Sequence, residues 1–485
     1  MAAILAVFLI IVAQLPLRTA IQMGGDEGFE LAKATLCLKG FHLYTDIWND
    51  QPPLHTYLVT ETLEHISPSI LGARLITVGF ACILLVSVFL ISVKINGLAT
   101  GTLTSGLLLV SPGFLALGSS CMLEVPCVAT GLSALCILLL GTRWGWRAGE
   151  IAAGVLFGAA CQIKLIGAVL LPIAVLIVWS RQRRHPPGNP LPLLYNLKRL
   201  MGSMLVIGAS MVVSFIAIDW LIERGEFIKH FGQTWASHFG GTKSLEYGSP
   251  SDHPFDWSIL LKNCDATIPA LIGILFCATQ IKQKPFLLLP MAWLLFDLVL
   301  FGTHTPWWSY YYVHIAPPLC WCAAIGIVEL LKLANWRRRQ VVFGLAVVFL
   351  LGAGWWTELR LSLQIKSARS SPQTYNTLAL NEIQRFKPFT QFLYADQPIY
   401  SFHSGIPLIP DLAVVMLKRL WSGEMTNAKI REEMEAAKPG LILLANDTRV
   451  MPFQHLIQTE YRLVYQDHLH RLYALKTIAD KAKYD

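Results

Sequence analysis

The sequence predicts a mainly α-helical, polytopic membrane protein with a small α/β domain at its C-terminal end, and three observations carry that expectation. Of 485 residues, 54% are hydrophobic and only 14% charged, with a mean hydropathy of +0.50, against roughly 25% charged in a soluble globular domain. Apolar stretches of about 20 residues, enough to cross a hydrocarbon core of about 30 Å as helices, recur from the N-terminus to Arg360. Beyond that point the composition changes: 27 of the last 125 residues are charged, against 43 of the first 360.

The spans are placed at about 1–21, 69–93, 98–117, 125–141, 148–163, 165–180, 200–222, 264–281, 285–303, 311–333 and 340–360, about eleven in all. The first lacks a basic leader and a small-residue cleavage site, and is read as a retained span. With the N-terminus inside, the inward loops hold Lys94, then Arg143 and Arg147, then Arg181, Arg183, Arg184, Lys198 and Arg199, then Lys282 and Lys284, and finally Lys332 and Arg337 to Arg339. Positive-inside topology produces this one-sided distribution. It accounts for the formal net charge of +8 without a nucleic-acid partner, because no single basic face is assembled. The outward loops collect acids instead: Asp26, Glu27, Glu30, Asp46, Asp50, Glu61, Glu64, Glu124, Glu223, Glu226, Glu246, Asp252 and Asp256. The chemically equipped face is therefore the outer one, and an odd number of spans places the C-terminal part there too. Ten cysteines are scattered mostly through or beside the apolar segments, without a CxxC pair or metal-ligand spacing, and read as small hydrophobes.

From 361 to 485 a soluble domain is expected. The runs "FLYAD" and "PGLILLAND" read as short strands, Asn427 to Ala437 as an amphipathic helix, and "YRLVYQ" with "HRLYALK" as a closing hairpin. It contains no nucleotide-binding glycine motif.

Within the first outward loop, residues 22–68, the stretch from Gly24 to Leu58 reads GGDEGFELAKATLCLKGFHLYTDIWNDQPPLHTYL. Apolar spacing predicts two helices along the membrane surface, over 26–39 and 54–65, the second opened by Pro52-Pro53, whose fixed backbone angle suits a helix start. Asp26 and Glu27 follow the first span at the outer bilayer edge, where a carboxylate is costly unless solvated, paired or used. Two readings stand: a general base beside a water-filled cavity, or a cap on the amides of the following helix. Asp46 and Asp50, with His42 and His55 nearby, offer the hard oxygen and imidazole ligands of a divalent cation, or ordinary surface hydrogen bonding.

These residues resemble the first extracytoplasmic loop of the GT-C superfamily, membrane glycosyltransferases that use polyprenyl-phosphate sugars, and particularly the branch of protein O-mannosyltransferases and aminoarabinose transferases. In that branch an Asp-Glu pair follows the first span, and after a Gly and an aromatic a second acidic residue precedes Pro. Here those positions are Asp26-Glu27, Gly40, Tyr44, Asp50 and Pro52-Pro53. The likeness continues in "MLEVP" around Glu124, "QIKLIGAVLLP" around Lys164, and "HTPWWSYYYVHIAPP" from His304 to Pro318. The resemblance implies a GT-C fold in the inner (plasma) membrane with catalysis at its outer face. Asp26, with Glu27 beside it, would be the base for in-line, inverting attack on a sugar carried by undecaprenyl or a similar polyprenyl phosphate. The acceptor would be a lipid, a glycan or a protein. Trp48, Gln51, His55, Glu124, Lys164, His304, Tyr310 and Tyr311 would line the donor and acceptor pockets, and Asp50 is the candidate ligand for a divalent metal ion. The leaving phosphate needs a cation to absorb its developing charge.

One departure matters. The aminoarabinose transferases carry a lysine after the second acidic residue, a residue that meets the phosphate, whereas this chain has Gln51, which brings no charge. Phosphate recognition then leans on Lys164, on Arg224 or on a metal near Asp50. Lys164 has the alternative of snorkelling to the interface, and Trp307, Trp308 and the tyrosines that of an interfacial aromatic belt.

The rival class is a transporter or flippase for a lipid-linked sugar, whose intramembrane ionisable groups would mark a translocation path. Against it, the spans lack the paired Gly/Pro-broken helices of many secondary transporters, and the polar residues crowd to one face. A third possibility is a non-catalytic assembly protein whose outer domain binds glycan.

Overall fold

Each stretch expected to span contains a helix in the computed structural model, which describes residues 1–141, 146–182, 193–224, 226–239, 241–334, 340–370, 378–446 and 452–481, but 1–21 is helical only to Val12 and 98–117 breaks after Leu109. The basic residues Arg143, Arg183, Arg184 and Arg337 to Arg339 used in the topology argument lie outside the described residues. In chain order the helices are α1 (Ala2–Val12), α2 (Glu27–Cys37), α3 (Leu54–His65), α4 (Ile70–Asn96), α5 (Leu98–Leu109), α6 (Phe114–Leu117), α7 (Glu124–Leu140) and α8 (Trp146–Ile163). They continue as α9 (Leu171–Gln182), α10 (Leu193–Glu223), α11 (Phe227–Phe239), α12 (Ser258–Lys262), α13 (Cys264–Gln280), α14 (Leu288–Thr303), α15 (Tyr312–Ala334) and α16 (Gln340–Ser370). Among the described residues four helical stretches, Ile70–Asn96, Leu194–Glu223, Pro285–Thr303 and Ser309–Lys332, are long and apolar enough to cross a membrane, and shorter apolar helices accompany them.

Two boundaries differ from expectation. The first helix ends at Val12 rather than near residue 21, because the residue before Pro16 is pushed out of the helical region. The following carbonyls would be stranded in a buried segment, but the Arg74 Nη1 donates to Leu17 O at 2.8 Å and Ala20 O at 3.1 Å. At the other end α16 runs ten residues past Arg360 to Ser370, so the helix continues through the composition break.

Close approach of helices rests on small residues, as membrane packing requires where lipid is as apolar as leucine. A Cβ on Gly273 of α13 would collide with the backbone of α15 at Cys322, and one on Gly326 of α15 with Pro269 of α13. All ten cysteines are free, most of them buried in this packing.

The C-terminal part is the expected α/β unit. Its sheet has the order β1 (Leu393–Ala395), β2 (Leu441–Ala445), β4 (His470–Leu475), β3 (Tyr461–Gln466). β1 and β2 are parallel, with Leu393 opposite Leu441, and the remaining pairs are antiparallel. The helix Asn427–Ala437 lies where the pattern placed it, with the Thr426 hydroxyl accepting from the Lys429 amide at its start. This unit is not a separate bead. Leu31, Ala34, Ile47, Trp48 and Val59 of the first loop share one apolar core with Leu393, Ile399, Tyr400, Leu441 and Leu472. Helix α2 is thus clamped between the bundle and the C-terminal domain and buried along most of its length, while α3 packs on α2 and on the bundle helices α4, α8 and α10.

Candidate active site

The first loop owes its shape to the residues that define its motif. Gly40 ends the α2 turn with φ 89°, a conformation open to glycine. Tyr44 follows with φ 63°, held there by its hydroxyl donating to Gln51 O at 2.6 Å while Asn49 Nδ2 donates to the same carbonyl at 2.8 Å. The segment between Tyr44 and Gln51 is thereby folded back so that Trp48, Asn49 and Asp50 point inward and are buried.

Asp26 occupies the N-cap position of α2 but makes no side-chain cap hydrogen bond. Its carboxylate is half-buried and, among the described residues, has neither an ion-pair nor a hydrogen-bond partner. Burial first, then the carboxylates of Glu124, Glu30 and Asp50, push it up from 3.8 to about 6 against the opposing pull of Lys164. An unpaired carboxylate poised near neutrality is equipped to accept a proton.

Glu27, its neighbour, is spent differently. It is fully buried, with Oε1 accepting from Arg74 Nε at 2.8 Å and the Cys121 amide at 2.9 Å, and Oε2 from Arg74 Nη2 at 2.8 Å and the Met23 amide at 2.7 Å. Three of these bonds tie the start of α2 to α4 and to the loop before α7, and the fourth, from Met23, holds the segment just before α2. Glu27 therefore positions Asp26.

Glu30 pairs with Lys33 at 2.6 Å and accepts from Thr56 Oγ1 at 3.2 Å, with His55 Nδ1 at 3.3 Å. Burial opposes its ionisation, but Lys33 and His55 outweigh burial and hold it at about 2. Lys33 also donates to Asn49 Oδ1 at 3.0 Å, linking α2 to the folded-back segment. His55 is fully buried, and among the described residues its Nε2 has no hydrogen-bond partner.

Glu124 and Lys164 meet at 2.5 Å where α7 begins and α8 ends. The ammonium lies 4.8 Å from the ring centre of Tyr310 and 5.4 Å from that of Tyr311. Lys164 is thus a buried member of the site, paired and covered by aromatic faces. Trp307 is buried too, against Phe255, Phe301 and Tyr311, and so belongs to the core of this region. His304 is exposed at the end of α14, with its ring 6.3 Å from that of Tyr311, and Arg224 is exposed beyond α10.

Asp50 lies beneath the outer domain. Its Oδ2 accepts from Gln51 Nε2 at 2.8 Å and from Lys418 Nζ at 3.3 Å. Burial opposes ionisation, but Lys418 and then His238 outweigh it and hold the carboxyl well below the usual carboxylate range. Lys418 sits in a short helix, Leu417–Trp421, pegged to the first loop: Trp48 Nε1 donates to Glu424 Oε2 at 2.5 Å, and the Arg419 guanidinium lies 5.2 Å from the Trp48 ring centre. Trp48 is thus a docking surface for the outer domain.

The donor set at Asp50 does not fit a divalent cation. Its Oδ2 faces an ammonium, which repels a second cation, and the four residues grouped by the sequence are divided. Asp46 accepts from the His42 amide at 2.8 Å in a local turn, and His55 faces Glu30. Among the described residues no cluster of three or more His, Cys, Asp or Glu side chains is arranged to hold a metal.

A cavity of about 840 Å³ opens one residue before Asp26. Leu15, Met23, Gly25, Trp356, Leu359 and Leu363 give it an apolar wall, and Lys262, Arg360 and Gln397 its polar part. A Cβ on Gly25 would meet nothing within 4 Å.

Arg74, Lys33, His238, Lys418, Arg419 and Glu424 escaped the sequence argument. Arg74 had a visible signal, a guanidinium inside an apolar stretch. Lys418 and Glu424 had none, since their partners Asp50 and Trp48 are hundreds of residues away.

The bundle, the buried first loop and the docked outer domain define a class: a polytopic membrane protein with the GT-C fold, as the first-loop motif implied. Residues 49–234 match the model of the dolichyl-phosphate-mannose-protein mannosyltransferase family, a match that starts beyond Asp26. Among solved structures, ArnT from Cupriavidus metallidurans bound to undecaprenyl phosphate aligns with a TM-score of 0.68 at 16% identity, covering 98% of each chain. The oligosaccharyltransferase AglB from Archaeoglobus fulgidus, in complex with an inhibitory peptide and a dolichol-phosphate, aligns with a TM-score of 0.59 at 12% identity, covering 92% of this chain and 69% of that one. No curated protein matches the chain by sequence.

Proposed function

We propose that this protein is a membrane glycosyltransferase that moves a hexose or pentose from a polyprenyl-phosphate carrier to a lipid, glycan or protein acceptor at the outer face of the plasma membrane. The observation that carries this reading is Asp26, a half-buried carboxylate without a partner, raised to about 6 and fixed by the Glu27 to Arg74 pair one residue on. An acceptor hydroxyl or amine is a poor nucleophile until a positioned base takes its proton as the new bond forms. Asp26 removes that proton, the acceptor atom attacks the anomeric carbon in line, and the bond to the carrier phosphate breaks with its electron pair leaving on the phosphate. A cation within reach of the phosphate oxygens stabilises that charge. The cavity lined by Gly25, the residue before Asp26 in the chain, offers an apolar space for a lipid chain.

Mass spectrometry of lipid extracts and surface glycans from cells lacking this chain tests the reading. A polyprenyl-phosphate sugar accumulates and one glycan loses a residue; Asp26→Asn, integrated in the membrane at normal levels, reproduces both. Normal glycans with Asp26→Asn would remove the base from the mechanism. A flippase would instead accumulate its substrate in sealed vesicles without altering it.

A further inference from the structure

The buried carboxylates of the site differ in how tightly their cations are held. Glu27, Glu30 and Glu124 have partners at 2.8, 2.6 and 2.5 Å, the range of short charge-assisted bonds or tighter. Lys418 does not. Its ammonium is 3.3 Å from Asp50 Oδ2 and 3.4 Å from His238 Nε2, and its side chain is 20% exposed. His238 is neutral near pH 7, because burial and then Lys418 bring it down to about 4. Its Nδ1 donates to Thr234 O at 2.9 Å, so Nε2 is the acceptor that faces the ammonium. Two long contacts leave a lysine with three protons under-used. Asp50 keeps the Gln51 amide at 2.8 Å if the ammonium turns away.

The Gln51 amide nitrogen and the Lys418 ammonium bind the same atom, Asp50 Oδ2. A lysine side chain at position 51 would bring its charge to this same neighbourhood. We propose that Lys418, delivered by the outer domain, is the phosphate-binding cation for the lipid carrier, supplying from a distant part of the chain the charge that Gln51 lacks. The reach is made definite by the pegs on either side, Arg419 on the Trp48 ring and Glu424 on its indole N–H. The outer domain is thus part of the carrier site and a determinant of phosphate over hydroxyl headgroups. This inference rests on the reading above that the carrier is a polyprenyl phosphate.

The test measures binding of undecaprenyl phosphate, undecaprenol and inorganic phosphate to the full-length protein in nanodiscs by native mass spectrometry. The wild type prefers the phosphate lipid over the alcohol. Lys418→Gln reduces that preference about ten- to hundredfold, the span expected for losing a hydrogen bond between charged groups. The double variant Lys418→Gln with Gln51→Lys restores it, which a mere latch between domains would not do, since a lysine at 51 cannot hold the Leu417–Trp421 helix. On the wild type, undecaprenyl phosphate protects Lys418 from amine acetylation, a readout that needs no variant to fold. No preference in the wild type overturns the carrier reading itself. A wild-type preference that survives Lys418→Gln, one lost but not restored by Gln51→Lys, or Lys418 labelled equally with and without the lipid overturns this inference alone. Inorganic phosphate protecting Lys418 as well as the lipid does overturns the lipid assignment.

Discussion

Replacing Asp26 by Asn should make the protein more stable and inactive at once. Asp26 is raised from 3.8 to about 6, chiefly by burial; that is about two units, or about 3 kcal/mol against the ionised form at about 1.36 kcal/mol per unit. Because the folded-state value is the higher one, the native protein holds this proton more tightly than the unfolded chain does. The stabilising contribution is therefore present below about pH 4 and lost as pH rises through about 6. Asparagine never ionises, and Asp26 has no hydrogen bond to forfeit. Asp26→Asn thus gains up to about 3 kcal/mol over the wild type at pH 8, and the gap closes towards pH 4. Thermal unfolding in detergent, followed by tryptophan fluorescence at several pH values, reads the gap directly. Transfer by the same preparation falls by about 10²–10⁴, the usual contribution of a positioned base. A variant less stable than the wild type at pH 8, or a stability gap that does not change with pH, would refute the assignment of an unpaired, desolvated carboxylate.

The same titration sets the rate profile: transfer declines about tenfold per pH unit below about 6 as Asp26 is protonated, measured with saturating donor in one buffer series. Arg74→Ala strands the buried Glu27 carboxylate, and should cost about 3–5 kcal/mol, seen as loss of folded protein on size exclusion; Arg74→Ala with Glu27→Gln recovers part of it. Gly25→Leu places a side chain at the cavity that Gly25 lines and should weaken lipid-substrate binding with little change in melting temperature, since no atom lies within 4 Å of the new Cβ. Chelation with EDTA leaves transfer unchanged, because the donor set at Asp50 holds an ammonium instead of a cation cage; a chelator-sensitive rate restored by one divalent ion would contradict that.

Much of this molecule was legible as sequence because the forces involved are local or periodic. Apolar runs of membrane length became helices, and the α/β alternation of the outer domain became the four-stranded sheet. Pro52-Pro53 stood out because a helix start suits proline, and Gly40 and Tyr44 because of their places in the first-loop motif; their left-handed backbone is visible only in the structure. Asp26 could be singled out, but whether it caps α2 or stands free could not, since both readings need the same residue at the same place.

What the tertiary structure decided is how charges are shared. Asp26 and Glu27 are adjacent and chemically alike, yet Arg74, brought in by another helix, occupies both oxygens of Glu27 and leaves Asp26 alone. Asp50 read as a metal ligand by its neighbours in sequence, but its neighbour in space is Lys418. Local sequence sets backbone preference and hydrophobic period. The protonation and partners of a buried carboxylate depend on burial and on charges within a few ångströms, and those come from segments that only folding brings together.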